Sequence, residues 1–218
     1  MPVRKIPRNH LKVTGAFATT KADRSVAFES LLEREYMLLL EFDDRVASIE
    51  EQPVRVPVPG VPQGYVPDVL VRHHPIAPGA APEVLLVEVK HTSDLAKNEE
   101  KYKAKFEAAE RYAAERNWRF VIVTEKDIRT PRLSNLFYLK GYRRNPIHER
   151  HAQVIKDCLR AGGDKTIGEL LNKACSVSGE EPLALTSTAW TLIAHKHIKV
   201  DLDAPLNLAT KVVRGACK

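Results

Sequence analysis

Apolar positions first recur at three-to-four spacing at Ala27, Phe28, Leu31, Leu32, Tyr36, Leu38, Leu39 and Leu40, and with Ser25 as N-cap they predict a helix over residues 25–40. Residues 1–24 have neither period and contain Pro2, Pro7 and Gly15, so they read as an extended arm. Strand candidates follow at Val46–Val58, broken at Pro53, at Tyr65–Arg72 and at Glu83–Lys90, separated by Pro/Gly-rich turns at 57–64 and 75–82. Residues 97–116 carry strong helix formers with Tyr102, Phe106, Ala109 and Ala113 on one face, and the apolar run Trp118–Thr124 reads as a buried strand. Strand, long helix and strand make a crossover, which sets 84–90 and 119–124 as parallel neighbours or near neighbours.

A polar stretch at 130–145 then leads into three short predicted helices, 147–160, 166–175 and 182–194, and an alternating segment at 195–200 that reads as a strand or wing. The expected organisation is a basic arm at 1–24, an α/β domain at 25–142 and a small winged-helix-like domain at 146–218.

Composition sharpens this picture. The chain has 218 residues, 44% of them hydrophobic, which excludes disorder as its main state. Three cysteines, Cys158, Cys175 and Cys217, without CxxC spacing argue against a disulfide framework or zinc ribbon and for a reducing compartment. No apolar run is long enough to span a bilayer and no signal-peptide core follows the N-terminus, so a cytoplasmic, DNA-associated protein is expected. The net charge of +6 is unevenly spread: +5 over 1–24, −4 over 25–139 and +5 over 140–218. An acidic body suits a cation site and basic flanks suit a polyanion such as DNA; a solubilising pattern accounts for the charges equally well.

Pro67-Asp68 and Glu88-Val89-Lys90 form a PD…ExK pattern on two strand candidates. Phosphodiester hydrolysis needs a divalent cation held by carboxylates, an activated water and a positive charge near the developing negative one. Residues i and i+2 of a strand share a face, so Glu88 and Lys90 reach one spot while Asp68 adds the second carboxylate and the Val89 carbonyl a further oxygen. Hard oxygen ligands favour Mg²⁺, with Mn²⁺ as substitute. The bare pattern is weak, since a surface ion pair on an edge strand also produces it. Its order, after a Glu-rich helix and before a crossover helix, is similar to the restriction-endonuclease-like core, a mixed sheet flanked by helices.

The run Phe28–Asp44, then Val46–Val54, Tyr65-Val-Pro-Asp68, Val87-Glu-Val-Lys90 and Phe120–Ile128 resembles the TnsA family, endonuclease subunits of heteromeric cut-and-paste transposases. The resemblance implies a helix acid at Glu33, with Glu29 second, strand acids at Asp68 and Glu88, and the lysine at Lys90. It also implies cleavage of the non-transferred strands at the 5′ ends of the element. Double-stranded DNA at the transposon ends, a DDE-type transposase and an AAA+ regulator are the implied partners, with no membrane.

Other residues carry weaker signals. His73-His74 lies between the acids but reads as a loop pair, and the pairs His148/His151 and His195/His197 lack further ligands to complete a zinc site. Gly162–Thr166 lacks the Gly before Lys of a phosphate loop. Gln52 is polar in an apolar strand context and fits either a structural hydrogen bond or the orientation of a water or carboxylate. The Tyr/Phe stripe at 102, 106 and 112 reads as core. Lys97, Lys101, Lys103, Lys105 and Lys126 read as DNA-lining or solvated. Two other functions stand beside the transposase reading: a non-catalytic DNA-binding or assembly protein on a nuclease-like scaffold, and a stand-alone resolvase or restriction-type nuclease.

Overall fold

The computed structural model describes residues 13–162 and 165–213. The first twelve residues of the expected basic arm, the Gly163–Asp164 part of the glycine-containing stretch, and Cys217 lie outside the described residues. The chain divides into two compact units at Arg129/Thr130.

In the first unit, β1 (Gly15–Phe17) pairs antiparallel with β2 (Val26–Phe28). A Cβ on Gly15 would sit 2.7 Å from the tip of the Phe28 ring, so a side chain there would displace that buried ring. The segment between them is fastened by Thr19 and Thr20, both of which donate to the Glu41 carboxylate. This pairing corrects the expected helix start. Val26 and Phe28 are buried by strand alternation, and the helix α1 (Leu31–Phe42) begins after Ser30, whose Oγ accepts the Glu33 N–H at 3.1 Å.

β3 (Val46–Glu51), β6 (Val69–His73), β7 (Val84–Val89) and β8 (Arg119–Val123) form the main sheet in the order β3-β6-β7-β8. β3–β6 and β6–β7 are antiparallel, whereas β7–β8 is parallel, as the crossover requires. Between them β4 (Val56–Val58) and β5 (Val61–Tyr65) make a hairpin whose turn holds Gly60 at φ +75°. Successive residues Val69, Leu70 and Val71 are all buried, so both sheet faces are covered. The crossover is not one helix over 97–116 but α2 (Thr92–Lys97) and α3 (Glu99–Ala114), divided at Asn98, whose side chain bonds back to Asp94. Ala108, Ala109 and Ala113 of α3 are buried against Val56, Tyr65, Leu70 and Leu86. The short α4 (Glu125–Ile128) follows β8.

The second unit is helical: α5 (Pro131–Tyr142), α6 (Glu149–Arg160), α7 (Ile167–Ser178) and α8 (Pro182–Ala194). The polar-looking stretch 130–145 is therefore a helix. Pro131 opens it, Leu133, Leu136 and Leu139 recur along one buried face, and Asn135 holds the chain at Leu202, Ala204 and Leu206 by three hydrogen bonds. The 195–200 segment contributes one antiparallel bridge, Val200 to Val212, beside a second at Thr166–Lys211. No helix among the described residues is long and apolar enough to cross a membrane.

Candidate active site

The first acid is placed by helix capping. Ser30 and Glu33 exchange hydrogen bonds, and the second Glu33 oxygen accepts the Glu29 N–H at 2.8 Å. This holds the Glu33 carboxyl in a buried position, where burial and the nearby Asp68 charge push its pKa up to about 7.

Asp68 precedes β6, and its backbone is laddered on both sides. Its N–H donates to the Val87 carbonyl at 3.0 Å and its carbonyl accepts the Gln52 N–H at 2.8 Å. The side chain is locked by the Val89 N–H, which donates to Oδ2 at 2.8 Å. Burial nevertheless holds the Asp68 carboxyl above the usual range, against the lowering effects of Lys90 and the Val89 hydrogen bond.

Leu86, Glu88 and Lys90 alternate onto one face of the β7 chain. Lys90 Nζ lies 2.7 Å from Glu88 Oε1, 3.6 Å from Asp68 Oδ2 and 3.3 Å from the Val89 carbonyl. Glu88 is 3% exposed, and its carboxyl is buried beside the Tyr65 hydroxyl. Burial first, and the Asp68 charge second, push its pKa up to about 8. Lys90 moves up as well, because the two carboxylates favour its charged form more than burial opposes it.

The structure therefore brings Glu33, Asp68, Glu88, Val89 and Lys90 into one neighbourhood, with Glu29 beside them: Gln52 Nε2 donates to Glu29 Oε1 at 2.9 Å. Among the described residues no three His, Cys, Asp or Glu side chains converge tightly enough to hold a metal by themselves. Two carboxylates, those of Asp68 and Glu88, and the Val89 carbonyl instead fit a cation that keeps several waters, as Mg²⁺ does.

Two tyrosine hydroxyls reach the site, Tyr65 and Tyr102, although the sequence pattern assigns Tyr102 to the core and no site role to Tyr65. The Tyr65 hydroxyl is buried beside the Glu88 carboxyl, and burial first, then the charge and hydrogen bond of Glu88 and the charge of Asp68, raise its pKa. Tyr102 stacks on Phe106 with ring centroids 5.2 Å apart, as expected of core, but also donates to Asp94 Oδ2 at 2.7 Å. It lines a cleft of about 520 Å³ with Lys103, Phe106 and Ile122. No local period marks either hydroxyl; only the approach of β5 and α3 to β7 does.

The remaining candidates lie apart. His73 bonds Glu83 at 3.0 Å at the far end of β6, roughly 16 Å along the strand from Asp68. In the second unit, the His148 ring stacks on His151, and His151 faces Glu180 at 3.4 Å; His195 and His197 stack at 6.4 Å. Lys97, Lys101, Lys103 and Lys126 are exposed and Lys105 is half-buried.

Residues 43–125 match the family model described as TnsA-like endonuclease N terminal, and residues 127–202 match that described as TnsA endonuclease C terminal. A search of curated proteins finds no individual match. The mixed sheet and flanking helices are consistent with a restriction-endonuclease-like fold.

Proposed function

Because the chain belongs to the TnsA family and is a transposon-related endonuclease, we propose that it hydrolyses the non-transferred strands at the 5′ ends of a transposon as one subunit of a heteromeric transposase. The observation that carries this reading is the Lys90 ammonium set between the Glu88 and Asp68 carboxyl groups, 2.7 Å from one and 3.6 Å from the other.

Asp68, Glu88 and the Val89 carbonyl would hold Mg²⁺, or Mn²⁺ in its place. When bound, the cation polarises the scissile phosphate and lowers the pKa of an attacking water. Lys90 is held protonated at neutral pH, so it orients that water and offsets negative charge on the phosphate rather than taking a proton. Glu33, held by Ser30 and the Glu29 N–H, is placed to hold or relay a proton at the site.

The acidic body does not draw DNA in unaided. A DDE-type transposase cutting the opposite strands, an AAA+ regulator and the basic flanks are the proposed means of placing the transposon ends. The second unit, read as a winged-helix-like docking module, is the proposed attachment.

Strand connectivity supplies the test. Two nucleases cutting opposite strands free the element, whereas 3′ joining alone leaves the donor attached at uncut 5′ ends. Lys90→Ala in the complete complex should therefore shift products from simple insertions to replicated cointegrates, read by long-read sequencing. An unchanged proportion of simple insertions would leave only a scaffold role.

A further inference from the structure

Gln52 stands where β3 leaves the main sheet. Its φ is +44°, in the left-handed region that glycine occupies without penalty and a longer side chain occupies at a cost. The residue is only 7% exposed. Two of its polar groups are engaged, the N–H with the Asp68 carbonyl at 2.8 Å and Nε2 with Glu29 Oε1 at 2.9 Å. Its Oε1 is buried and has no hydrogen-bond partner.

A strained backbone and an unpaired buried amide oxygen at one residue are two costs that glycine would remove together. Both fall beside the acids. The register Glu51↔Val69 sets Gln52 across from Asp68, and Glu29 is close enough to influence Asp68 electrostatically. The amide orientation is determined by chemistry, since only the NH₂ end can face the Glu29 carboxylate. What remains directed elsewhere is an acceptor, able to accept a hydrogen bond from a water while leaving the water's lone pairs for another partner.

We propose that Gln52 is a positioning residue of the site. Nε2 and the backbone N–H set Glu29 and Asp68 in mutual register, and Oε1 accepts a hydrogen bond from a water held by the Asp68/Glu88 pair. This rests on the reading that Asp68 and Glu88 bind a divalent cation.

The test uses the full chain with Gln52→Gly and Gln52→Asn. Asparagine tolerates the backbone conformation but is one methylene too short to reach Glu29. Thermal unfolding in chelator and Mn²⁺ titration by calorimetry are both measured. In chelator both variants should melt at or above the wild-type midpoint, because the strain is relieved. Their Mn²⁺ affinity should fall by about tenfold, the scale of one lost hydrogen bond. In the reconstituted complex kcat should fall with KM for DNA unchanged. A purely structural role predicts the reverse, a lower midpoint with unaltered Mn²⁺ affinity, and would overturn the proposal. If the wild type binds Mn²⁺ and both variants bind it equally well, this inference alone fails. If the wild type binds none, the cation reading fails and this inference with it.

Discussion

The Lys90 ammonium and the Glu88 carboxylate meet at 2.7 Å, although both belong to the same β-chain and only Val89 separates them. Strand alternation makes this possible, and antiparallel β6 brings Asp68 to within 3.6 Å of the same nitrogen. One positive charge thus faces Asp68 and Glu88, with Glu33 raised by the same Asp68 charge. The acids hold protons more tightly than exposed carboxyls do because burial disfavours their ionised forms.

Stability of the metal-free protein should fall as pH rises through neutrality. The folded pKa values of Glu33 and Glu88, about 7 and about 8, lie above the ordinary glutamate value of 4.5, so between 4.5 and 8 the folded state binds more protons than the unfolded one. Stability is therefore highest near pH 5 and declines towards pH 8 by on the order of a few kcal/mol. Denaturant titrations in chelator across this range measure it, and a flat profile contradicts it. Mg²⁺ should raise the thermal midpoint more at pH 8 than at pH 6, since it displaces those protons.

Lys90→Met leaves two carboxylates without their counter-charge. The variant should lose about 3 kcal/mol at pH 8, the scale of a broken buried pair. Much of this loss should return near pH 5, where the acids are protonated, while strand cleavage stays absent throughout. Chemical denaturation at the two pH values tests the point; an equal loss at both would show that packing rather than charge is responsible.

Ser30→Ala should destabilise α1 by about 1 kcal/mol through loss of its N-cap. Glu33→Gln, which removes a buried acid, should be no less stable than wild type at pH 8 yet cleave at least about tenfold more slowly, as loss of a proton-transfer group does. Glu29→Gln should slow cleavage less. Cleavage kinetics that reverse this order would transfer the helix-acid role to Glu29.

Residues 1–129 should form a soluble, cooperatively unfolding fragment, whereas 1–145 should aggregate. The longer piece carries α5 without α8 and without the 202–206 segment that Asn135 holds, which bares Leu133, Leu136 and Leu139. Size-exclusion chromatography of the two separates the outcomes. A monomeric 1–145 as stable as 1–129 would show that α5 does not need the rest of the second unit.

Local pattern sufficed wherever one period governed a segment. The shared face of Glu88 and Lys90 follows from the two-residue repeat of a strand, and the parallel placement of β8 follows from the helical crossover before it. Pattern misled where a short segment served two periods. Ala27 and Phe28 fit the helical spacing of α1, but pairing with Gly15–Phe17 draws them into a strand and moves the helix start to Ser30. At 130–145 the polar composition concealed the leucines of α5, whose burial depends on distant chain. The tertiary structure alone decided that Gln52 lies across from Asp68, that Tyr65 approaches Glu88, and that Glu33 and Glu88 carry raised pKa values. A repeat along the chain determines which side chains share a face; strand register and packing determine which faces meet and how far water is excluded from them.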